Sequence, residues 1–200
     1  TRELDNMGTN AAANVDRTLP NPQKDQSGAL LGKVVLTPGG GQRHVFTLEH
    51  VDKSADYELL TARAKPPLAG TSVLSSTSFT DMQRSRATWE GSWRVNTAWA
   101  DDLKATLSFQ DSHSREYITE DRNIAADRVR DVTYDERTWQ ANLQGNKLLR
   151  VGSGAGAWVQ KITYGLDHTA AKVSNLQTGV APPVGETFPL KRFPDTTESS

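Results

Sequence analysis

LKATLSFQ, residues Leu103 to Gln110, decides the fold. Leu103, Ala105, Leu107 and Phe109 alternate with Lys104, Thr106, Ser108 and Gln110. A strand sends successive side chains to opposite faces, so this stretch is apolar on one side and polar on the other. A helical period fits it less well. The same alternation recurs in five further windows. Leu30, Gly32, Val34 and Leu36 alternate with Leu31, Lys33, Val35 and Thr37. Phe46 and Leu48 alternate with Thr47 and Glu49. Trp89, Gly91, Trp93 and Val95 face away from Thr88, Glu90, Ser92 and Arg94. Trp139, Ala141 and Leu143 oppose Thr138, Gln140, Asn142 and Gln144. Trp158, Ile162, Tyr164 and Leu166 oppose Lys161, Thr163 and Asp167, with Gln160 an exception on the apolar face. Strands are expected near 30–37, 43–61, 80–96, 102–118, 130–147 and 157–170.

The connections alternate in length. Short ones are PGGGQ (Pro38 to Gln42), NTAWADD (Asn96 to Asp102) and VGSGAG (Val151 to Gly156). Long ones are Ala62 to Thr77, Glu120 to Arg128 and Thr169 onward. Outer-membrane barrels have short periplasmic turns and longer external loops. On that pattern strands one, three and five run toward the periplasm, and two, four and six run outward. A soluble β-sandwich alternates in the same way, with its apolar face turned into a core. Strand length, tryptophans near strand ends and long loops confined to one side favour the barrel. The expected fold class is all-β: an antiparallel up-and-down transmembrane β-barrel segment of about six strands with long external loops.

Composition is consistent with this reading. The 200 residues have a formal net charge of -1 and no cysteine. There is no basic excess to argue for nucleic acid, and no disulfide framework or thiolate metal site is possible. Mean hydropathy is -0.60, and no apolar run approaches the roughly 20 residues of a membrane helix. Alternating barrel strands look hydrophilic on average, so this leaves a barrel open. TRELDNMGTN, at Thr1 to Asn10, lacks the charged and apolar regions of an export signal. The expectation is that such a signal lies upstream and that residues 1–200 are a fragment of a larger barrel domain.

Several stretches carry a family resemblance: RTLPNPQ (Arg17 to Gln23), LLGKVVLTP (Leu30 to Pro38), TLEHVD (Thr47 to Asp52) and DMQRSR (Asp81 to Arg86). LSFQDSHSREYITEDR (Leu107 to Arg122), ITYGLDH (Ile162 to His168) and KRFPDT (Lys191 to Thr196) continue it in order over nearly the whole chain. The chain resembles the barrel of TonB-dependent outer-membrane receptors, within them the heme and hemoglobin receptor branch. That resemblance implies a barrel of roughly twenty-two strands closed around an N-terminal plug, of which plug, TonB box and remaining strands have no counterpart here. It implies uptake of heme, free or from hemoglobin, as an iron source. It also implies outer-membrane lipid around the wall, heme or hemoglobin at the external loops, and TonB acting through an N-terminal region outside this chain. The FRAP and NPNL motifs of the heme branch do not occur; Asn21-Pro22-Gln23 is not NPNL. A siderophore receptor of the same superfamily is the nearest alternative, and a soluble β-sandwich binding module the alternative from a different class.

The four histidines are the candidates for heme chemistry. His44 and His50 fall on the apolar register of the second strand, near the two membrane interfaces, where packing explains them. His113 and Tyr117 lie four apart beyond Phe109, on one face of a strand, and both side-chain types ligate heme iron. An ordinary polar external loop also explains them and is the preferred reading. His168 sits just outside the membrane band. No catalytic residue and no bound metal are expected. No paired carboxylates of fixed geometry and no Gly-x-Ser-x-Gly elbow occur. GSGAG, at Gly152 to Gly156, lacks the Lys-Ser/Thr of a phosphate loop. No cofactor is expected to be held by this segment alone, and a barrel phospholipase or protease would need a constellation that cannot be assembled.

Overall fold

The computed structural model describes residues 2–4, 21–64, 66–152, 156 and 158–199. Six long strands carry the architecture: β2 (Gln23–Gly39), β3 (Gln42–Glu58), β4 (Val73–Arg94), β5 (Asp102–Arg122), β6 (Arg128–Val151) and β7 (Trp158–Val180). Two short strands, β1 (Arg2–Leu4) and β8 (Thr196–Ser199), pair at the outer edges of β2 and β7. All eight form one antiparallel sheet in chain order. β1 and β8 do not pair with each other, so the sheet is open. Leu60–Ala62 forms a 3-10 turn, and no α-helix occurs among the described residues. No helix of the described residues is long and apolar enough to cross a membrane.

The strands are longer than hydropathy indicates. β2 begins at Gln23, not near 30; β4 begins at Val73; β5 and β7 run on to Arg122 and Val180. The expected long loop from Glu120 to Arg128 shrinks to residues 123–127, and the last connection starts after Val180. The cause is that these extensions carry polar side chains on both faces, with only scattered Val, Leu and Phe among them. Alternation disappears from the sequence while the backbone ladder, indifferent to side chains, continues pair by pair. His113 pairs with Asp135 and Tyr117 with Asp131 in that extension.

The short connections close as hairpins. Gly40 and Gly41 link β2 to β3 with φ of 61° and 73°. Two successive positive φ values suit a two-residue hairpin turn whose twist matches the strands, and glycine reaches them without steric cost. Between β4 and β5 the turn is clamped from β6. Lys147 Nζ donates to the Thr97 carbonyl at 2.7 Å and to Asp101 Oδ1 at 2.6 Å, while Leu148 N donates to Asp101 Oδ2 at 2.8 Å. These bonds hold the Asp101 carboxyl below the usual carboxylate range, the Lys147 bond first.

Candidate functional site

Register converts six separate alternations into one surface. Val34, Phe46, Trp89, Leu107, Ala141 and His168 form a single row across β2 to β7. Adjacent rows bring Leu48, Ala87, Phe109 and Trp139 to one side of it, and Ala105, Leu143 and Leu166 to the other. Facing cross-strand residues share a face, so this is one apolar sheet face. It contains Leu103, Ala105, Leu107, Phe109, Trp139, Ala141 and Leu143, as alternation predicts. No second layer of the described residues covers it. Leu107 is 49% exposed, Trp139 60% and Leu166 76%. Among the described residues only Val45, Ala55 and Ala100 are buried apolar side chains. Contiguous exposed apolar surface on this scale marks an interface with something apolar.

Measured from that row, the first hairpin closes four residues away (Phe46 to Gln42) and the third ten residues away (Ala141 to Val151). The offset between them is roughly six residues, about 20 Å of strand, over four strand spacings of about 4.8 Å. Turns at one common level therefore require strands tilted by about 45°, within the range of membrane barrels. At that tilt an apolar zone about 25 Å tall takes up about ten residues per strand. In β5 the apolar side chains of that stretch run from Leu103 to Phe109, with Asp111 at its outer rim.

Aromatic side chains concentrate toward the turn end of this face. His44 stacks on Trp89 at 6.0 Å and meets Trp93 edge-on at 5.4 Å. Gly91 lies beneath the two indoles, where an added Cβ would collide with Trp93. On β6, Gly145 leaves room for the Tyr164 ring; a Cβ there would come within 2.6 Å of its Cζ. The ring crosses Gly145 so that its hydroxyl donates to the Trp99 carbonyl at 2.7 Å, tying β7 to the β4–β5 turn.

Beyond the apolar zone the same face becomes a ladder of ion pairs. Arg137 Nε donates to Asp111 at 2.7 Å, His113 Nδ1 lies 2.7 Å from Asp135, and Arg115 grips Asp131 through Nε and Nη2 at 2.8 and 2.6 Å. His113 and Tyr117 stand in this ladder, on the apolar-face side of the sheet. They share that face as expected, but four strand residues separate their Cα atoms by roughly 13 Å. His113 is engaged with Asp135, and the Arg115 guanidinium lies 5.5 Å from the Tyr117 ring centroid. Tyr117 also borders a cavity of about 530 Å³ with Phe79. His44 and His50 lie on the apolar face, His50 Nδ1 being 3.0 Å from Ser85 Oγ. His168 pairs with Ala141 on that face, ten residues from the turn end of β7. Among the described residues no three His, Asp or Glu side chains are grouped to hold a metal ion.

The opposite face is polar and carries the largest cavity described here, about 700 Å³. Its floor is one register row, Ser27–Lys53–Met82–Ser114–Tyr134. Tyr57 and Thr80 rise above that row toward the loop end. The volume suits a medium-sized organic ligand. Burial, then the neighbouring Glu136, pushes the Tyr134 phenol up, so its hydroxyl remains a neutral donor. The chain after β7 folds back onto this polar face. Asn175 donates to the Phe193 carbonyl and accepts from Arg192 N, at 2.9 and 2.8 Å, and Phe193 meets Tyr134 edge-on. A search confined to histidines misses Tyr57, Met82 and Tyr134. The available signal was parity, since all three occupy the polar register of their strands.

Comparison with protein-family models and with curated proteins yields no match.

Proposed function

We propose that this chain is wall and external loops of an outer-membrane β-barrel, and that the full protein is a TonB-dependent receptor taking up heme, free or from hemoglobin. The observation that carries the membrane part is the uncovered apolar face, continuous across six strands and tilted by the angle a barrel needs. A soluble sandwich would spend this face on a second sheet, and all eight strands lie in one. In water the exposed Leu, Phe and Trp side chains would be an aggregation liability; against lipid tails they are solvated. The polar face then lines the lumen, the polar strand extensions with the β3–β4 and β5–β6 connections face outward, and the edges of β2 and β7 are completed by further barrel strands, because unpaired backbone is not tolerated in lipid.

The heme part rests on the resemblance of the ordered stretches from Arg17 to Thr196 and on the lumen-side cavity, which is large enough for a macrocycle. Lack of the FRAP and NPNL motifs favours a second reading, a siderophore receptor with the same wall. Deleting the gene and supplying heme, hemoglobin or ferric siderophores as sole iron source separates the two. The proposal expects loss of growth on heme and hemoglobin only, restored by the complete gene and not by one lacking the TonB contact. Loss on siderophores alone would transfer the assignment to them, and growth on every source would end the uptake reading.

A further inference from the structure

Register assembles one pair that alternation within a single strand cannot show. On the apolar face, β3 sets His50 directly opposite Ser85 of β4. His50 Nδ1 lies 3.0 Å from Ser85 Oγ, and both residues are exposed. A serine hydroxyl about 2.6–3.2 Å from an imidazole nitrogen is placed for the ring to activate it as a nucleophile. With the ring proton on Nε2, Nδ1 accepts the hydroxyl hydrogen. The pair borders a groove of about 300 Å³ on the same face, lined by Leu30, Gly32, Leu48, Ala87 and Phe109. A Cβ on Gly32 would meet nothing within 4 Å, so the groove stays open beside Leu48, its cross-strand partner. Such a lining suits a hydrocarbon chain. The depth also fits. His50 stands eight residues from the end of β3 at Gln42, and Ser85 nine from the end of β4 at Arg94. At about 3.4 Å per residue and a tilt of about 45°, they lie about 19 and 22 Å above the turn level, near the outer rim of an apolar zone about 25 Å tall. The ester linkages of a lipid leaflet lie at that boundary, between hydrocarbon and headgroup. Asp111, opposite Ser85 on β5, is engaged by Arg137. Gln83, two residues from Ser85 on the same face, makes no side-chain hydrogen bond among the described residues.

We propose that His50 and Ser85 form an esterase dyad that hydrolyses the fatty acyl esters of outer-leaflet lipid. The proposal adds an activity to the uptake reading and rests only on its membrane part, that this face touches lipid. The acyl chain lies along the groove, which brings its ester carbonyl to Ser85. His50 Nδ1 takes the hydroxyl proton as Oγ attacks the carbonyl carbon. The Gln83 amide donates to the oxyanion that forms. The bond from that carbon to the alcohol oxygen then breaks, and the leaving alcohol takes the proton from His50. An acyl-serine remains. Water from the headgroup side attacks it with His50 again as base, which releases the fatty acid and restores Ser85. One ester and one water become one acid and one alcohol, and no other reactant is needed.

The test uses the full-length protein in vesicles of phosphatidylethanolamine with radiolabelled palmitoyl chains, and a water-soluble butyrate ester in parallel. Proteins compared are the parent, Ser85→Ala, His50→Gln and Gly32→Leu. The dyad predicts palmitate release by the parent and a loss of about a hundredfold or more in Ser85→Ala and in His50→Gln. A fluorophosphonate probe should label Ser85 of the parent. Gly32→Leu, which fills the groove, should slow palmitate release and spare the butyrate ester; equal loss on both would overturn the role of the groove. No release by the parent, release that survives Ser85→Ala, or labelling of another serine in place of Ser85 overturns the dyad. Spin labels at positions 103 to 110 separate the two failures. An inactive parent whose odd positions contact lipid ends the dyad alone, and one whose even positions do so ends the membrane reading with it.

Discussion

Replacing Leu107 with Arg tests the orientation of the sheet most sharply. Leu107 lies in the middle of β5 on the apolar face, flanked by Trp89 and Ala141, and is 49% exposed. It stands five residues from the end of the strand at Asp102. With 3.4 Å per residue and a 45° tilt it is about 12 Å above the turn level, half-way across an apolar zone about 25 Å tall. A guanidinium at that depth costs about 2–4 kcal/mol. At about 1.4 kcal/mol per tenfold, that is a shift of roughly 30- to 700-fold in the folded-to-unfolded ratio. Thr106, its neighbour, faces the other way, so Thr106→Arg gains an aqueous environment and costs less than about 0.5 kcal/mol. Gln110→Leu, also on the polar face, is tolerated similarly. The assay is reversible denaturant unfolding of the full-length barrel in lipid vesicles, comparing the three variants with the parent. Equal costs for Leu107→Arg and Thr106→Arg would refute the assignment of faces. So would a Leu107→Arg protein as stable as the parent.

Three further outcomes follow from the geometry. Gly145→Ala pushes the Tyr164 ring off its seat and breaks its bond to the Trp99 carbonyl, lowering stability by about 1–2 kcal/mol, while Gly32→Ala, with open space above it, costs less than half as much; unfolding midpoints at equal slope compare them. The Asp101 clamp contributes stability above the ordinary carboxylate range because its folded pKa is depressed. That contribution fades as pH falls through the lowered value, so Asp101→Asn flattens the acid limb of the stability profile, and an unchanged limb would show the clamp to be idle. If the full-length protein binds heme as proposed, changing His113 and Tyr117 together to Ala leaves the Soret band unshifted, since His113 is committed to Asp135 and the two lie roughly 13 Å apart; a shifted or lost band would make one of them an iron ligand.

How much of this was legible in the sequence depends on the region. From Leu103 to Phe109 and from Trp139 to Leu143, water on one side and apolar surroundings on the other leave a period-two trace, and the faces can be read directly. Beyond Gln110 both faces of β5 meet water. Asp111, Ser112, His113, Ser114 and Arg115 have no alternation, yet their backbone pairs with β6 through Arg128. The clamp of Lys147 on Asp101 joins residues far apart in the chain and has no local signature. The cavity was hidden for a related reason. Lys53, Met82 and Tyr134 come from three strands and meet only through register, which single-strand alternation leaves undetermined.

The central claim is that one face of this sheet touches lipid and the other water. Residues 1–200 contain no cysteine; single cysteines at positions 103 to 110 of the full-length protein, with any cysteine elsewhere replaced by serine, are spin-labelled in bilayers. Collision with oxygen, which concentrates in lipid, should peak at 103, 105, 107 and 109. Collision with a water-soluble nickel chelate should peak at 104, 106, 108 and 110. Two profiles alternating with period two and opposite phase are the predicted result. Profiles in the reverse phase, or a nickel signal that is uniform along the strand, would contradict the account.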